Sequence, residues 1–98
     1  YATEFSVIHH ELNLCIENLH EWASRKRVDS NLATFPSNSF LIPEPLGVTL
    51  VIGAWNYPFM ETIQPLVSAI AAGNTAIIKP SELAAHSSVV IKKLINIY

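Results

Sequence analysis

The sequence is poor in cysteine, glycine and charged residues. Its 98 residues include one cysteine, three glycines, six basic residues and eight acidic residues. The lone Cys15 excludes an internal disulfide and a CxxC metal site, and it predicts a reducing compartment such as the cytoplasm. Because the charges are scattered and sum to −2, the composition gives little support to nucleic-acid binding.

Several recognisable motifs are also missing. The longest apolar stretches, GVTLVIGAW and AIAAG, fall short of the roughly 18 to 20 residues that a membrane-spanning helix needs. The glycines do not form GxGxxG, and no GxxxxGK(S/T) occurs, so a typical pyrophosphate-binding loop is not encoded. HELNL places Leu14 where the second histidine of HExxH would stand. This spacing excludes a zinc-protease motif, and no metal site is predicted.

Residues 1–24 have the pattern of an amphipathic helix. Apolar side chains recur at steps of three and four, opposite a row of glutamates. The apolar positions are Phe5, Ile8, Leu12, Cys15, Ile16, Leu19 and Trp22. Cys15 is therefore expected to be a buried, inert thiol. The basic run Arg25-Lys26-Arg27 would complement the negative end of the helix dipole.

Residues 25–46 are predicted to be a linker and an extended connector. DSNLATFPSN, at 29–38, is rich in turn formers and has no periodicity. SFLIPEP, at 39–45, has an extended pattern, but Pro43 and Pro45 cannot donate to a ladder. These prolines confine the segment to a sheet edge or a connector.

Residues 47–98 are predicted to form a strand, a helix, a strand and a helix. GVTLVIGAW, at 47–55, is apolar on both faces, which is typical of a strand in a parallel sheet, and NTAIIKP supplies a second strand. Pro58 suits the first residue of the intervening helix, and Gly73 should close that helix. Pro65 should produce a kink or a loosened turn inside it. The second helix is expected to begin at Pro80-Ser81-Glu82.

This order of elements predicts an α/β fold with a parallel pair of strands. Two parallel strands alone would leave open edges and an uncovered apolar face, so we expect the sheet to continue outside these residues. The sequence starts with Tyr1, and Met60 is its only methionine. We therefore expect the chain to be part of a longer polypeptide.

Asn56 is the first candidate for a functional residue. It follows a buried strand at its carboxyl end, where open α/β sheets bind ligands, and its amide could donate a hydrogen bond to a developing oxyanion. The alternative, equally supported by position alone, is that Asn56 caps the following helix. Trp55 and Tyr57 flank it and are more often packing residues than functional ones.

Lys79 and Glu82 are the second candidate group. They lie at the carboxyl end of the next strand, where an ammonium and a carboxylate could bind ribose hydroxyls. The alternative is that Ser81 or Glu82 caps the following helix and that Glu82 complements its positive end.

The combined string from 45 to 82, PLGVTLVIGAWNYPFMETIQPLVSAIAAGNTAIIKPSE, resembles the cofactor domain of NAD(P)-dependent aldehyde dehydrogenases. GAWNYP and TIQPL are most similar to the class 3, fatty-aldehyde-type branch. The match covers about residues 40 to 98, and ENLHEW extends it more loosely into residues 1–39. The resemblance implies an N-terminal fragment of such an enzyme, in which residues 1–98 are part of a Rossmann-like parallel-sheet domain.

The resemblance also implies roles for individual residues. In that family a cysteine thiolate attacks the aldehyde, NAD(P)⁺ accepts hydride, and water releases the carboxylic acid. Asn56 matches the asparagine that completes the oxyanion hole. The positions that match cofactor-binding ones are Ala54, Trp55, Lys79, Ser81 and Glu82. The carboxylate of Glu82 would favour NAD over NADP, whose 2′-phosphate it repels, although Lys79 would soften that preference.

The family's nucleophilic cysteine and general-base glutamate lie downstream of the matched region, so the 98 residues are not expected to complete the reaction by themselves. The implied partners are an aldehyde, a nicotinamide cofactor and, for the whole enzyme, a second subunit in a homodimer. A C-terminal membrane anchor, which some class 3 relatives have, stays open. The alternatives are a truncated, catalytically inactive binding or interaction module and a different nucleotide-dependent α/β protein.

Overall fold

The computed structural model describes residues 2–97, which form three α-helices, two short sheets and two turns of 3₁₀ helix along an elongated shape of 60 × 25 × 25 Å. The α-helices are α1 (Ala2–Trp22), α2 (Met60–Ala71) and α3 (Ala85–Ile97). The strands are β1 (Lys26–Val28), β2 (Ser39–Leu41), β3 (Val48–Ile52) and β4 (Thr75–Lys79). The 3₁₀ turns are Leu32–Thr34 and Glu82–Ala84.

The predicted parallel pair is confirmed. β3 lies beside β4 in a register that runs from Val48 opposite Thr75 to Ile52 opposite Lys79. The Thr49 hydroxyl adds a hydrogen bond of 3.0 Å to the Thr75 carbonyl oxygen at the start of the ladder. Because the two strands are parallel, the carboxyl ends of β3 and β4 lie at the same edge, and α2 connects the strands and packs on both.

Gly73 ends α2, as the sequence predicts. Its φ of 80° is a left-handed conformation that glycine adopts without strain. Its N–H donates to the Ile70 carbonyl at 2.8 Å, and the Asn74 N–H donates to the Ala69 carbonyl at 3.0 Å. This pair of bonds is a Schellman motif, which satisfies carbonyls that the last turn of a helix leaves without a partner.

The start of α2 differs from the prediction by two residues. The helix begins at Met60 rather than Pro58, because Pro58 and Phe59 form a turn that precedes it. The Tyr57 carbonyl already accepts a helical hydrogen bond of 2.9 Å from the Glu61 N–H. Pro65 lies inside the helix, which continues to Ala71.

The segment after α1 contains more regular structure than its turn-rich sequence suggests. β1 and β2 pair antiparallel, with Arg27 opposite Phe40. The Arg25 guanidinium lies 4.1 Å from the centre of the Phe40 ring, and Arg27 donates a hydrogen bond of 2.6 Å to Asn38. The assignment of Arg25-Lys26-Arg27 to the end of α1 was therefore wrong, since α1 ends at Trp22 and the arginines are used by the hairpin.

α1 packs along α2, but only part of its predicted apolar stripe is covered, since Phe5, Leu12, Ile16, Leu19 and Trp22 are between 41 and 67 % exposed. Ile8 and Cys15 on that stripe are buried, which confirms the buried thiol. The prediction that the glutamates of α1 lie opposite its packed face is wrong for two of them, because Glu4 and Glu11 contact α2. Glu4 accepts a hydrogen bond of 3.1 Å from the Met60 N–H, and the Ser68 hydroxyl donates one of 3.2 Å to Glu11.

The other face of the β3–β4 sheet is uncovered within residues 2–97. Val48, Leu50, Ile52 and Ile77 on this face are between 59 and 70 % exposed. The predicted uncovered apolar face is thus present, because α2 covers only the opposite side of the pair. Within the same residues, no helix has both the length and the hydropathy that a membrane span requires.

Gly53, the residue after β3, marks the closest approach of the sheet to α2. A methyl group on its Cα would overlap the Oγ1 atom of Thr62 and would lie 3.4 Å from Thr62 Cβ. The φ of Gly53 is not positive, so its backbone conformation would also suit an L side chain. Glycine is required at this position by space rather than by backbone conformation.

We expect Gly53→Ala to destabilise the protein by about 1–3 kcal/mol, which is the usual cost of overpacking a closely packed site. Urea denaturation of the two proteins measures the difference. The double variant Gly53→Ala/Thr62→Ala is the control, because the alanine at 53 should cost less once the hydroxyl is gone. An equal cost in both backgrounds would contradict the steric explanation.

We expect Glu4→Ala to destabilise the protein by about 1 kcal/mol, since it removes the acceptor at the start of α2. Glu4→Gln keeps an acceptor oxygen and should lose less. Glu17→Ala, an exposed glutamate on the same helix, is the matched control for the loss of a charge. If thermal denaturation shows equal losses for Glu4→Ala and Glu17→Ala, the cap contributes nothing measurable.

Candidate functional site

The candidate site lies at the edge where β3 and β4 end. GAWNYP, at 53–58, leaves β3 directly after Ile52, whose register partner is Lys79 at the end of β4. The Gly53 N–H donates a hydrogen bond of 2.9 Å to the Lys79 carbonyl, which extends the ladder by one step. The structure therefore brings the two predicted polar groups to one edge of the sheet.

Asn56 is exposed in the bend between β3 and α2. The alternative that Asn56 caps α2 is contradicted, because Phe59 occupies the cap position and no side-chain hydrogen bond is made there. The Met60 N–H at this helix start is satisfied by Glu4 instead. Among the described residues, no hydrogen bond engages the Asn56 side chain, so its amide is available to a ligand.

Trp55 and Tyr57 flank Asn56 and are also exposed. Their exposed fractions are 65 % and 48 %, so neither serves as a core packing residue within residues 2–97. Large aromatic side chains with this much exposure beside a polar group provide contact area for a ligand or for another part of a protein.

Lys79 and Glu82 contact each other directly. The Lys79 ammonium nitrogen lies 2.5 Å from Glu82 Oε2, while both side chains are more than half exposed. The hydrogen bond from Lys79, a backbone hydrogen bond and the charge of Lys79 lower the pKa of the Glu82 carboxyl from its ordinary value of 4.5. Glu82 is therefore an anion at neutral pH, and the pair presents a donor and an acceptor side by side.

Ser81 caps the turn that follows β4. Its hydroxyl accepts a hydrogen bond of 3.3 Å from the Leu83 N–H, and its carbonyl accepts one of 2.7 Å from the Ser88 hydroxyl. Of the two capping alternatives, Ser81 fills the role and Glu82 does not, since the Glu82 carboxylate turns to Lys79. Ser81 is buried, whereas Lys79 and Glu82 reach solvent.

Two residues near this site were not singled out from the sequence. Thr62, in the first turn of α2, is fully buried and donates a hydrogen bond of 2.7 Å to the Pro58 carbonyl. Its spacing of four residues from Pro58 is the only sequence signal for that contact. Glu4 reaches Met60 across 56 residues, a contact that no local pattern could indicate.

The other chemical candidates of the sequence lie away from this edge. Cys15 is buried on α1, and Glu11 on the same helix is hydrogen-bonded to Ser68 of α2. A groove of about 650 Å³ beside Cys15 is lined by α1, Pro43–Pro45 and the last turn of α2. Because Pro45 precedes β3 and Gly73 precedes β4, this groove lies at the opposite edge from Asn56.

The geometry combines a hydrogen-bond donor, exposed aromatic surface and a charged pair at the carboxyl end of parallel strands. This is the edge at which open α/β sheets bind ligands. The amide of Asn56 can stabilise a developing negative charge, and the Lys79–Glu82 pair can exchange hydrogen bonds with neighbouring hydroxyls. Asn56 and the Lys79–Glu82 pair follow neighbouring strands of the same sheet.

Comparison with known proteins identifies the family of the chain. The family model described as "Aldehyde dehydrogenase family" matches residues 3–97. The chain is 48 % identical over 98 residues to aldehyde dehydrogenase family 3 member A2 of Macaca fascicularis, covering all of this chain and 20 % of that protein. It is 47 % identical over 96 residues to the 4,4′-diaponeurosporen-aldehyde dehydrogenase of Staphylococcus aureus, covering 98 % and 21 %.

A solved structure described as the substrate-bound state of Staphylococcus aureus AldH superimposes with a TM-score of 0.94 and 47 % identity, over 98 % of this chain and 21 % of that one. The chain thus spans about a fifth of the length of the relatives it matches. The predicted α/β, Rossmann-like fold and the resemblance to class 3 enzymes are both confirmed. The chain belongs to the aldehyde dehydrogenase family.

Proposed function

We propose that this chain is the N-terminal part of an NAD(P)-dependent aldehyde dehydrogenase that oxidises aldehydes to carboxylic acids. The observation that carries the proposal is the exposed Asn56 at the end of β3, beside the strand whose end carries Lys79 and Glu82. The uncovered apolar face of the sheet supports a longer protein, because further strands and helices would remove it from water.

In the proposed reaction, a cysteine thiolate from the remainder of the protein forms a bond to the carbonyl carbon of the aldehyde. The electrons of the carbonyl π bond move to oxygen, and the Asn56 amide donates a hydrogen bond to the resulting oxyanion. Cys15 is not this nucleophile, since it is buried between α1 and α2. A nicotinamide cofactor, when bound, would accept the hydride, and hydrolysis of the resulting thioester by water would give the acid and release the cysteine thiolate.

We propose that the cofactor's ribose is bound by Lys79 and Glu82. Their fit rests on the donor and acceptor groups they present, both exposed and both at the carboxyl edge of the sheet. Their mutual ion pair is exposed, so little free energy opposes its rearrangement around a ligand. Ser81 would contribute through the turn that it caps, while Ala54 and Trp55 would line the adjoining cleft.

NAD would be preferred and NADP tolerated. The ionised Glu82 carboxylate repels the 2′-phosphate of NADP, whereas Lys79 can pair with that phosphate and soften the preference. For the whole protein we propose a homodimer in the cytoplasm that acts on aldehydes and does not bind nucleic acid, with membrane anchoring outside these residues left open.

The decisive test is an assay of the full-length protein that contains this chain. Long-chain and aromatic aldehydes should be oxidised with reduction of NAD, and NADP should be used less efficiently. No activity with any of these aldehydes would favour the alternative of a catalytically inactive binding module.

We expect Asn56→Ala to lower kcat by about 10² to 10³, the usual effect of removing one oxyanion donor. The fold should be kept, because the Asn56 side chain supports no neighbouring residue among those described. Asn74→Ala is the matched control. The Asn74 side chain accepts a hydrogen bond of 2.9 Å from the Gly47 N–H at the far edge of the sheet, so its loss should affect stability and not kcat. Steady-state kinetics and melting temperatures separate the two effects.

We expect Glu82→Gln to shift cofactor preference toward NADP, since it removes the charge that repels the 2′-phosphate. The ratio of kcat/KM for NAD to kcat/KM for NADP measures the shift, and Glu17→Gln, on the exposed face of α1, controls for the change in net charge. Equal efficiencies with the two cofactors in the unmodified enzyme would contradict the proposed preference.

A further inference from the structure

GAWNYP has an exposed middle and two fixed ends. Trp55, Asn56 and Tyr57 are exposed, while Gly53 is buried against α2. Nothing among the described hydrogen bonds holds the Asn56 side chain itself. The position of its amide therefore depends on how firmly the backbone is held at Gly53 and Pro58.

One side chain, that of Thr62, contacts both ends of GAWNYP. At the end of the segment, the Thr62 hydroxyl donates a hydrogen bond of 2.7 Å to the Pro58 carbonyl. The Thr62 N–H donates to the Phe59 carbonyl instead, at 3.3 Å. The side chain thus supplies the hydrogen bond that the backbone of a regular helix would give to Pro58.

At the start of the segment, the same Oγ1 atom occupies the space that a side chain on Gly53 would fill. Gly53 is in turn bonded to the Lys79 carbonyl at 2.9 Å, so this contact also connects the segment to β4. With an exposed fraction of 0 %, Thr62 has no exposed surface of its own that could bind a ligand. Its polar atom is engaged entirely with the GAWNYP backbone.

We propose that Thr62 is a positioning residue for the reaction, which fixes the Asn56 amide by holding both ends of GAWNYP. This inference rests on the proposed function, because it assumes that Asn56 stabilises the oxyanion. A catalytic donor must be held at the position where charge develops, and small misplacements are costly. Thr62 accomplishes this without touching substrate or cofactor.

Glu4 gives the start of α2 a contact that does not involve Thr62. Its carboxylate accepts the Met60 N–H, and Phe5 on the same turn of α1 lies against Phe59, with 4.8 Å between ring centres. Removing the Thr62 hydroxyl should therefore loosen GAWNYP while α2 remains in place. This separation makes the proposal testable in a folded protein.

The test uses the full-length enzyme with Thr62→Val, which removes the hydroxyl and nearly keeps the shape, and Thr62→Ser, which keeps the hydroxyl. Thr62→Val should lower kcat by about 10-fold, within the range that misplacement of a catalytic group produces, with little change in KM for aldehyde or cofactor. Thr62→Ser should restore most of the rate. Equal rates for the two variants would overturn the proposal. If Thr62→Val does not fold, Thr62→Ala provides the same comparison, because it removes the hydroxyl without placing a methyl group in its position.

A double-mutant cycle with Asn56→Ala separates positioning from general support of the fold. If Thr62 acts through Asn56, Thr62→Val should have almost no further effect on kcat once Asn56 is alanine. A full 10-fold loss in that background would show that Thr62 acts by another route.

Thr49→Val is the matched control, since it removes a threonine hydroxyl that donates to a backbone carbonyl at the far edge of the same sheet. It should lower the melting temperature without lowering kcat. An inactive wild-type enzyme would overturn the proposed function and this inference together. An active enzyme with independent effects at 56 and 62 would overturn only the inference.

Discussion

The ladder of hydrogen bonds between β3 and β4 determines where each proposed site residue lies. It sets Ile52 beside Lys79, so the two segments that follow these strands leave the sheet at one edge. The bond from Gly53 to the Lys79 carbonyl carries the ladder one step into GAWNYP. Without this register, Asn56 and the Lys79–Glu82 pair would not lie at one edge of the sheet.

α2 fixes the two ends of the connection between β3 and β4. Gly73 closes the helix so that β4 can return beside β3, and Thr62 and Glu4 hold its other end. The residues proposed to bind a ligand make few contacts with the rest of the described chain. Their positions depend on neighbouring residues that are less exposed. For this reason Thr62, which has no exposed surface, can affect the proposed chemistry.

The uncovered face of the sheet and the family membership both support the proposal that further parts of the protein complete the site. Val48, Leu50, Ile52 and Ile77 expose apolar surface that water disfavours, and the relatives are about five times longer than this chain, since it spans about a fifth of them. The described residues hold the proposed oxyanion donor and the proposed ribose-binding pair. The proposed nucleophile would come from elsewhere in the protein.

The sequence by itself determined the features that depend on local order. The two-sided hydrophobicity of β3 and the glycine after α2 were sufficient to predict the parallel pair, and the motifs GAWNYP and KPSE were sufficient to predict the family. Only the tertiary structure decided the features that depend on distant partners. Arg25 lies on Phe40 because β2 returns beside β1, Glu4 rather than Asn56 satisfies the start of α2, and Thr62 meets Gly53 because α2 packs on the sheet. No periodic pattern in the sequence indicates these contacts, because each joins residues of different segments. They form only when those segments pack together.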